Sequence, residues 1–412
     1  MTRRFVYMDY NATTPLRPEV KELMIRDLEV YANASSMHEA GRRARELVEK
    51  ARADVAALVG ARDPLELYFT SGGSESNNTV FNTMYDLGRR GRLGPAAGAP
   101  EAADPRRKIL TTAIEHPCVM NAARRLADEG FPVVYLPVDG AGRVDLARLE
   151  AELDPARSEG GPVLLVSVMA ANNEIGTVQD IARIAAMAKA AGALVHTDAT
   201  QAAGKIPVDV KAWGVDYLTL SCHKIYGPKG IGALYVRKGA PVEPLVRGGH
   251  QELGVRAGTY NNLGIIGFGL AARLAAEDLP AFSARLKGLR ERLREGLLAR
   301  VPKVRVNGHP TEVLPNTLNL SFPGAEGEAI LLSLDMEGIE VSTGSACASG
   351  SLEPSHVLVA TGVGPELAHG SIRFSLGRDT SEEDVDYVIE KLPPIIARLR
   401  RMSTVSADVE MA

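Results

Sequence analysis

An alternation of short apolar runs with helix-like segments, between about residues 65 and 236, most constrains the fold of this chain. The runs are residues 65–70, 108–113, 162–168, 193–197 and 215–220. Strands that alternate with helices form a mostly parallel sheet flanked by those helices. Ligands of such sheets bind outside the carboxyl ends of the strands. The polar residues that follow these runs are therefore the candidate site.

Lys224 follows the run 215–220 and precedes a tight Gly227-Pro228 turn. This position suits an amine that loses its proton, because burial near other cations lowers the pKa of a lysine. A neutral amine is nucleophilic and forms a Schiff base with a carbonyl cofactor. The alternative is a lysine whose stem extends from the strand end to solvent.

Asp198 and Gln201 lie at the end of the preceding run, 193–197. A carboxylate there is able to hold the protonated pyridine nitrogen of pyridoxal phosphate, and Gln201 is able to donate to the ring hydroxyl. A Schiff-base lysine together with an acidic partner for the pyridinium is typical of this cofactor. Alone, Asp198 would fit a helix N-cap better. The pair Asp198 and Lys224, on successive strands, predicts pyridoxal phosphate.

A phosphate cradle is predicted at the turn 71–74, between the run 65–70 and a helix-like segment. Glycines let the backbone approach a ligand, and a helix start presents free N–H groups to an anion. The predicted contacts are Gly73 and Ser74, joined by side-chain donors of Ser221 and His223. A turn that only caps its helix is the alternative. No Walker-type phosphate loop occurs, which disfavours a nucleoside triphosphate.

Two further polar residues follow strands of the predicted sheet. His116 follows the run 108–113 and would stack on the cofactor ring and transfer protons, although Pro117 also fits a plain helix start. Asn173 follows the run 162–168 and would bind the ring hydroxyl or the substrate. A turn residue explains Asn173 equally well.

These motifs resemble those of class V aminotransferases and, within that group, cysteine desulfurases of the NifS/IscS type. The resemblance runs from Tyr7 to about Gly377. It implies a fold-type I pyridoxal-phosphate transferase, an α/β protein with a mostly parallel sheet in a large domain and a smaller α+β C-terminal domain. We place the large domain at residues 15–260 and the small domain at residues 1–14 plus 261–412.

The resemblance also assigns roles to the candidate residues. It gives Lys224 the Schiff base, Asp198 the pyridinium and His116 the ring face. It gives hydrogen bonds near the ring hydroxyl to Asn173 and Gln201, and the phosphate to Gly73, Ser74, Ser221 and His223. A threonine from a neighbouring subunit completes the phosphate site in such enzymes. Thr259 matches that position, which implies a homodimer with shared active sites.

Cys347 lies in a stretch of small residues, 342–351, which buries little apolar area and is predicted to be mobile. Ten extended residues span roughly 30 Å, enough to carry a sulfur from a pocket to the surface. An incidental loop cysteine is the alternative. The resemblance implies that Cys347 attacks the sulfur of L-cysteine, becomes a persulfide, releases L-alanine and supplies iron–sulfur cluster scaffolds.

Arg373, within the run 371–376, is the predicted substrate anchor. A guanidinium fork binds a carboxylate through two parallel hydrogen bonds, and the resemblance places the α-carboxylate at this motif. Arg378 competes for the role, with a surface ion pair as its alternative. Asn33 is a further candidate on the substrate side.

Composition narrows the partners and the location. The chain has 412 residues, 45% of them hydrophobic, with a formal net charge of -4. That balance disfavours nucleic acid and anionic membranes as partners, and no apolar run approaches the roughly 20 residues of a membrane helix. The N-terminus lacks the apolar region of a secretory signal. We therefore expect a cytoplasmic enzyme.

Three cysteines without a CxxC spacing argue against disulfides and a zinc site, so no metal is predicted. We expect Cys118 and Cys222 to be packed residues. Cys222 replaces a glycine that is common in the resembled family. Residues 88–107 depart from the resembled family, and the Gly/Pro-rich stretch 91–100 within them predicts a surface loop.

The pattern changes near Asn261, where helical runs at 263–276 and 281–298 lead into short strands at 317–322 and 339–342. A capping pattern at 380–383 predicts the start of the last helix.

Two other functions fit the pattern. Another pyridoxal-phosphate enzyme, an aminotransferase or a selenocysteine-selective lyase, would keep Lys224 and Asp198 but leave Cys347 without a role. A non-catalytic protein that kept the fold would hold no cofactor.

Overall fold

The computed structural model describes residues 4–91, 106–154, 157, 159–343 and 353–403. Within these ranges the strands are β1 (Val6–Tyr7), β2 (Leu67–Thr70), β3 (Lys108–Thr112), β4 (Val133–Leu136), β5 (Val163–Ser167), β6 (Leu194–Asp198), β7 (Tyr217–Ser221), β8 (Gly232–Val236), β9 (Arg305–Asn307), β10 (Thr317–Ser321), β11 (Ile339–Glu340) and β12 (Ser371–Ser375). The α-helices are α1 (Pro18–Arg26), α2 (Glu39–Leu58), α3 (Gly73–Arg90), α4 (Pro117–Asp128), α5 (Leu146–Leu153), α6 (Ile181–Ala190), α7 (Val210–Trp213), α8 (Asn262–Arg300), α9 (Gly327–Met336), α10 (His356–Ala360), α11 (Pro365–His369) and α12 (Glu382–Met402).

The central sheet has the strand order β2-β8-β7-β6-β5-β3-β4. Neighbours from β7 through β4 pair in parallel, whereas β8 is antiparallel to both β7 and β2. Strand β2 therefore runs in the same direction as β7, and its carboxyl end lies at the same edge. Every residue of β3, β5, β7 and β8 is buried, as expected for strands covered on both faces. The prediction of an α/β fold with a mostly parallel sheet is confirmed.

Most strands begin or end within two residues of the predicted runs. The run predicted at 65–70 becomes a strand only at Leu67, because residues Pro64–Glu66 form a 3-10 turn. The side chain of Asp63 accepts a hydrogen bond from the N–H of Leu65 and caps this turn. A local cap therefore shortens the strand at its amino end and leaves its carboxyl end, which borders the candidate site, in place.

The two helical runs predicted at 263–276 and 281–298 form one helix, α8, which contains Pro280. A proline removes one intrahelical hydrogen bond, and here each half of the helix is held by a separate core. Phe268 packs with the buried residues of the central sheet, whereas Leu293 belongs to a second apolar core. Burial of both halves keeps the helix continuous, so the predicted break is wrong.

The second core is built on the antiparallel sheet β12-β10-β9 and on helices α8, α9 and α12. Val6 and Met8, near the N-terminus, are buried in it. Helix α12 begins with a capping box between Ser381 and Asp384, one residue beyond the predicted pattern. The division into residues 15–260 and residues 1–14 plus 261–412 stays a prediction.

Two predicted loops fall partly outside the described residues. Helix α3 extends to Arg90 and ends at Gly91, whose φ of 63° lies in the left-handed region that favours glycine. Beyond Gly91, the structure describes only residues 106 and 107 of the segment 88–107. Residues 92–100 of the predicted loop therefore lie outside the described residues. Of the loop predicted at 342–351, only Ser342 and Thr343 are described. Among the helices of the described ranges, none has both the length and the apolar character needed to cross a bilayer.

Candidate active site

A cavity of about 550 Å³ lies at the carboxyl edge of the central sheet, within the range of roughly 300–1,000 Å³ usual for small-molecule sites. Strands β2, β3, β5, β6 and β7 all end at this edge. The predicted residues that line the cavity are Gly73, Ser74, His116, Asn173, Asp198, Gln201, Ser221, His223, Lys224 and Arg373. Asn33 and Thr259 are exposed and lie outside the lining, and both stay predictions. Cys347 lies outside the described residues.

Asp198 closes strand β6 and is 7% exposed. Its Oδ2 accepts a hydrogen bond of 2.7 Å from Nδ2 of Asn77, and its Oδ1 accepts one of 2.9 Å from the backbone N–H of Thr200. The second bond stabilises the turn that follows β6. The helix N-cap that the sequence offered as an alternative is not formed, because the next helix begins only at Val210.

Lys224 lies in a 3-10 turn directly after β7. Its Nζ donates hydrogen bonds to the backbone oxygens of Asn11 at 2.5 Å and Ala12 at 2.7 Å. Both carbonyls belong to the N-terminal segment, which lines the same cavity. Lys224 and Asp198 thus face one common space, as a Schiff-base lysine and a pyridinium partner require.

His116 is both a helix start and a cavity residue. Its Nδ1 accepts the backbone N–H of Cys118 at 3.2 Å, which caps helix α4. Burial lowers the pKa of His116, although Asp198 opposes the shift. The imidazole is therefore neutral near pH 7, and because Nδ1 is an acceptor, the ring proton is on Nε2.

Cys118 packs against an apolar core, as expected, and it also lines the cavity, where it is only half-buried. Its Sγ lies 2.9 Å from Nδ1 of His116 and 3.1 Å from Nδ2 of Asn77. Burial, with a further contribution from Asp198, raises the pKa of this thiol to about 12. Cys222, by contrast, is fully buried in the core, as expected.

The end of the cavity at which the phosphate is predicted is formed by the start of α3 and by the turn after β7. A Cβ atom at Gly73 would lie 3.2 Å from Oγ1 of Thr200, so glycine keeps this space open. Oγ1 of Thr200 is buried and has no hydrogen-bond partner among the described residues. Sequence reasoning missed Thr200, although its place two residues after Asp198 marks the same loop.

His223 shows that this end of the cavity is cationic. Burial, followed by the charges of Lys224, Lys229 and Lys205, lowers the pKa of His223 to about 4. Lys224 and Lys229 line the cavity themselves. A surplus of positive charge, an open glycine and an unpartnered hydroxyl fit a phosphate group, so the residues present fit pyridoxal phosphate.

Arg373 lies in the centre of β12 and is 2% exposed. One terminal nitrogen donates to Oδ1 of Asp9 at 2.6 Å, and the other donates to the backbone oxygen of Asn173 at 3.1 Å. Its Nε is buried and has no hydrogen-bond partner among the described residues. Arg378 lies outside the cavity lining and pairs with Asp379. The geometry therefore favours Arg373 for a carboxylate.

Asn172 and Asn173 divide the two roles that the sequence left open for Asn173. The side-chain oxygen of Asn172 accepts the backbone N–H groups of Glu174 and Ile175 and so forms the turn. Asn173 lines the cavity. The turn role thus belongs to the neighbouring residue.

Two buried carboxyl groups adjoin the site and were not predicted. Glu115 accepts hydrogen bonds from Thr112 and Met169, and burial raises its pKa to about 8. Glu174 accepts from Ser355, and burial raises its pKa to about 7. Each precedes or follows a predicted site residue directly, which is the only signal the sequence offers for them.

Comparison with known proteins identifies the family. The family model described as aminotransferase class V matches residues 6–388. The chain is 48% identical to "Cysteine desulfurase 2" of Trichormus variabilis, over 98% of this chain and 96% of that protein. It is 46% identical to "Cysteine desulfurase IscS" of Dictyoglomus turgidum, over 97% of each.

Solved structures agree with these relatives. A NifS-like protein superposes with a TM-score of 0.85 at 38% identity, covering 96% of this chain and 100% of that one. A structure titled "SspA in complex with cysteine" superposes with a TM-score of 0.75 at 33% identity, covering 90% and 98%. The chain therefore belongs to the class V aminotransferase family, among its pyridoxal-phosphate-dependent cysteine desulfurases.

Proposed function

We propose that this chain converts L-cysteine to L-alanine and transfers the sulfur, as a persulfide on Cys347, to acceptors for iron–sulfur cluster assembly. The observation that carries the proposal is the convergence of Lys224, Asp198 and Arg373 on one cavity. Those three side chains supply an amine, a carboxylate and a carboxylate receptor, which together suit an amino-acid substrate. A related structure is titled as a complex with cysteine, and another relative is named IscS.

Pyridoxal phosphate would be held at both ends of the cavity. Asp198 would bind the pyridine nitrogen and His116 the ring face, while Gln201 and Asn173 would bind near the ring hydroxyl. The phosphate would lie at Gly73, Ser74, Ser221 and His223. When bound, the cofactor withdraws electrons from the α-carbon of the substrate.

Lys224 and Arg373 act on the substrate amino acid. The guanidinium of Arg373 binds the α-carboxylate and is oriented for it by Asp9, at 2.6 Å. The Nζ of Lys224 accepts the α-proton, and for this step the amine must be neutral. The carbonyl oxygens of Asn11 and Ala12 orient that amine at the cavity wall. His116, neutral and protonated on Nε2, is placed to donate a proton.

Cys347 carries the sulfur-transfer step in this proposal. Its thiolate attacks the sulfur of the substrate, so that an S–S bond forms while the bond between that sulfur and the β-carbon breaks. The electron pair of the broken bond remains on the substrate carbon skeleton, which is protonated and leaves as L-alanine. The outer sulfur of the persulfide then passes to an acceptor protein.

We also propose a cytoplasmic homodimer that binds an iron–sulfur scaffold and neither nucleic acid nor membrane. Support for the dimer comes from the segment around Thr259, which is exposed and lies close in sequence to the apolar side chain of Leu253, 70% exposed. In this arrangement Thr259 of each subunit would complete the phosphate site of the other. Asn33 would line the substrate side.

The test measures alanine and sulfide produced from L-cysteine in the presence of a reductant. We expect Cys347→Ala to abolish sulfide production while the protein stays yellow, and borohydride to fix the cofactor to the peptide that contains Lys224. Undiminished turnover in Cys347→Ala would favour another pyridoxal-phosphate reaction. A colourless preparation that does not react with borohydride would favour a non-catalytic protein.

A further inference from the structure

Lys205 is a buried amine just behind the cavity wall. It lies in the turn after β6, is 4% exposed and forms no ion pair with a carboxylate in the part of the chain that the structure describes. Its Nζ instead donates two hydrogen bonds, both of 3.1 Å, to the backbone oxygen and to Oε1 of Gln201. An amine buried without a counter-ion is costly, which calls for a reason beyond packing.

The hydrogen bond from Lys205 determines which end of the Gln201 amide group, Oε1 or Nε2, points toward the cavity. Oε1 is bound by Lys205, and Nε2 donates to the backbone oxygen of Asn11 at 2.9 Å. An amide nitrogen carries two hydrogens, and the second has no acceptor among the described residues. Because Gln201 lines the cavity, that hydrogen is available to an acceptor bound there.

The number of N–H donors on a neutral Lys205 equals the number of oxygen acceptors that it contacts. A neutral amine has two N–H groups, and the two oxygens of Gln201 accept both. Burial, and then the charge of Lys224, lowers the pKa of Lys205 to about 7, which favours the neutral form above that pH. Burial, which penalises the charged form, thus favours a neutral amine that donates two hydrogen bonds.

We propose that Lys205 is a positioning residue for the cofactor, which binds both oxygens of Gln201 and so holds the amide NH₂ toward the ring oxygen of pyridoxal phosphate. The inference rests on the proposed role of Gln201. Without Lys205 only the hydrogen bond from Nε2 to Asn11 holds the amide, and a rotation by 180° would turn Oε1 toward the ring oxygen, so that two acceptors would face each other. The reaction itself involves no contact between Lys205 and the substrate.

The experiment titrates the apoprotein with pyridoxal phosphate in the absence of cysteine, following absorbance. We expect Lys205→Met to weaken cofactor binding about tenfold, which corresponds to the loss of about one oriented hydrogen bond. Gln201→Ala should weaken it similarly. The double variant should bind no more weakly than Gln201→Ala, because Lys205 acts through Gln201. Lys211→Met, which alters an exposed lysine on α7, is the matched control.

A purely structural role for Lys205 predicts a different result. Thermal unfolding of the apoprotein would then change, while the folded Lys205→Met variant would bind the cofactor with wild-type affinity, and this outcome overturns the inference. Additive losses in the double variant overturn it as well, since they would show that Lys205 acts independently of Gln201.

Gln201→Glu keeps the inference testable if Lys205→Met does not fold. This variant retains an oxygen for Lys205 and gains an ion pair, so the turn stays intact, but it presents an acceptor to the ring oxygen. We expect about tenfold weaker cofactor binding, and wild-type affinity would refute the orientation argument. If the wild-type chain itself bound no pyridoxal phosphate, the proposed function would fail, whereas wild-type binding with unaffected variants would refute this inference alone.

Discussion

The two ends of the cavity differ in the sign of their charge, and the difference controls the neighbouring groups. At one end the carboxylate of Asp198 adds to burial in raising the pKa values of Glu115 and Cys118. At the other end Lys224 adds to burial in lowering the pKa values of Lys205 and His223. Each end thus concentrates its charge on few residues and keeps the groups around them neutral.

This polarity matches a molecule with a cationic ring nitrogen at one end and anionic oxygens at the other. A cavity with mixed charge at both ends would bind such a molecule in two orientations. Glu75 and Arg373 also line the cavity, but they are ion-paired with Arg256 and Asp9. Asp198 and the lysines are therefore the charges that we expect to select one orientation.

Lys224→Ala removes the amine that we propose acts on the substrate, and should have the largest effect. We expect turnover of L-cysteine to fall by at least about 10³-fold, since the proposed Schiff-base amine and the proposed proton acceptor are both lost. Alanine formation measures the loss, and borohydride treatment should no longer fix the cofactor to the chain. Lys238→Ala, at an exposed lysine, is the control and should behave as wild type. Retained borohydride fixation would assign the Schiff base to another lysine.

Asp198→Asn removes the anion of the opposite end with little change in shape. We expect turnover to fall about 10²-fold or more, because a neutral amide no longer holds the protonated ring nitrogen. The absorbance spectrum of the bound cofactor should change together with the rate. Asp209→Asn, which alters the N-cap of α7 away from the cavity, serves as the control. Unchanged turnover would show that the cofactor does not use Asp198.

Strand ends could be predicted because a parallel sheet collects its carboxyl ends at one edge. Asp198, Lys224 and Asn173 each follow such an end, and no further information was needed to group them. The cavity roles of Cys118 and Thr200 were missed because they depend on α3, where Asn77 contacts Cys118 and Gly73 lies next to Thr200. Lys205 contacts Gln201 within its own turn, and it was missed because the sequence does not show its burial. The predicted break in α8 failed for a related reason, since burial at two separate cores outweighs one proline.

Glu115→Gln tests whether burial keeps the carboxyl group of Glu115 neutral near Asp198. Folding raises the pKa of Glu115 from its ordinary value of 4.5 to about 8. The stability that its protonated form contributes is therefore complete below pH 4.5 and is lost as the pH rises through 8. Glutamine does not titrate. Between pH 5 and pH 8, the free energy of unfolding of the wild type should therefore fall by a few kcal/mol relative to that of Glu115→Gln.

Denaturant unfolding of the apoprotein at pH 5.5 and pH 8 measures this difference. Glu150→Gln, at an exposed position of α5, is the control and should follow the wild type at both pH values. A difference in stability between the wild type and Glu115→Gln that is the same at both pH values would show that folding does not raise the pKa of Glu115.

Cys118→Ala should have the smallest effect on turnover. It tests whether Cys118 only adjoins the site or takes part in the chemistry. The thiol is a weak hydrogen-bonding group, and in the variant Nδ1 of His116 keeps the backbone N–H of residue 118 as its donor. We expect turnover to fall only about two- to threefold, and Cys118→Ser to restore it. A loss above tenfold that serine does not restore would give Cys118 a chemical role.

The same variant makes the sulfur assignment unambiguous. The chain has three cysteines, and Cys222 is fully buried in the core. Once Cys118 is alanine, a persulfide formed from L-cysteine has only Cys347 as an accessible site, and mass spectrometry of the isolated peptide identifies it. Loss of the persulfide in Cys118→Ala, with the cofactor still bound, would assign the sulfur carrier to Cys118. Retention of the persulfide on Cys347 would show that Cys347 accepts the sulfur without Cys118.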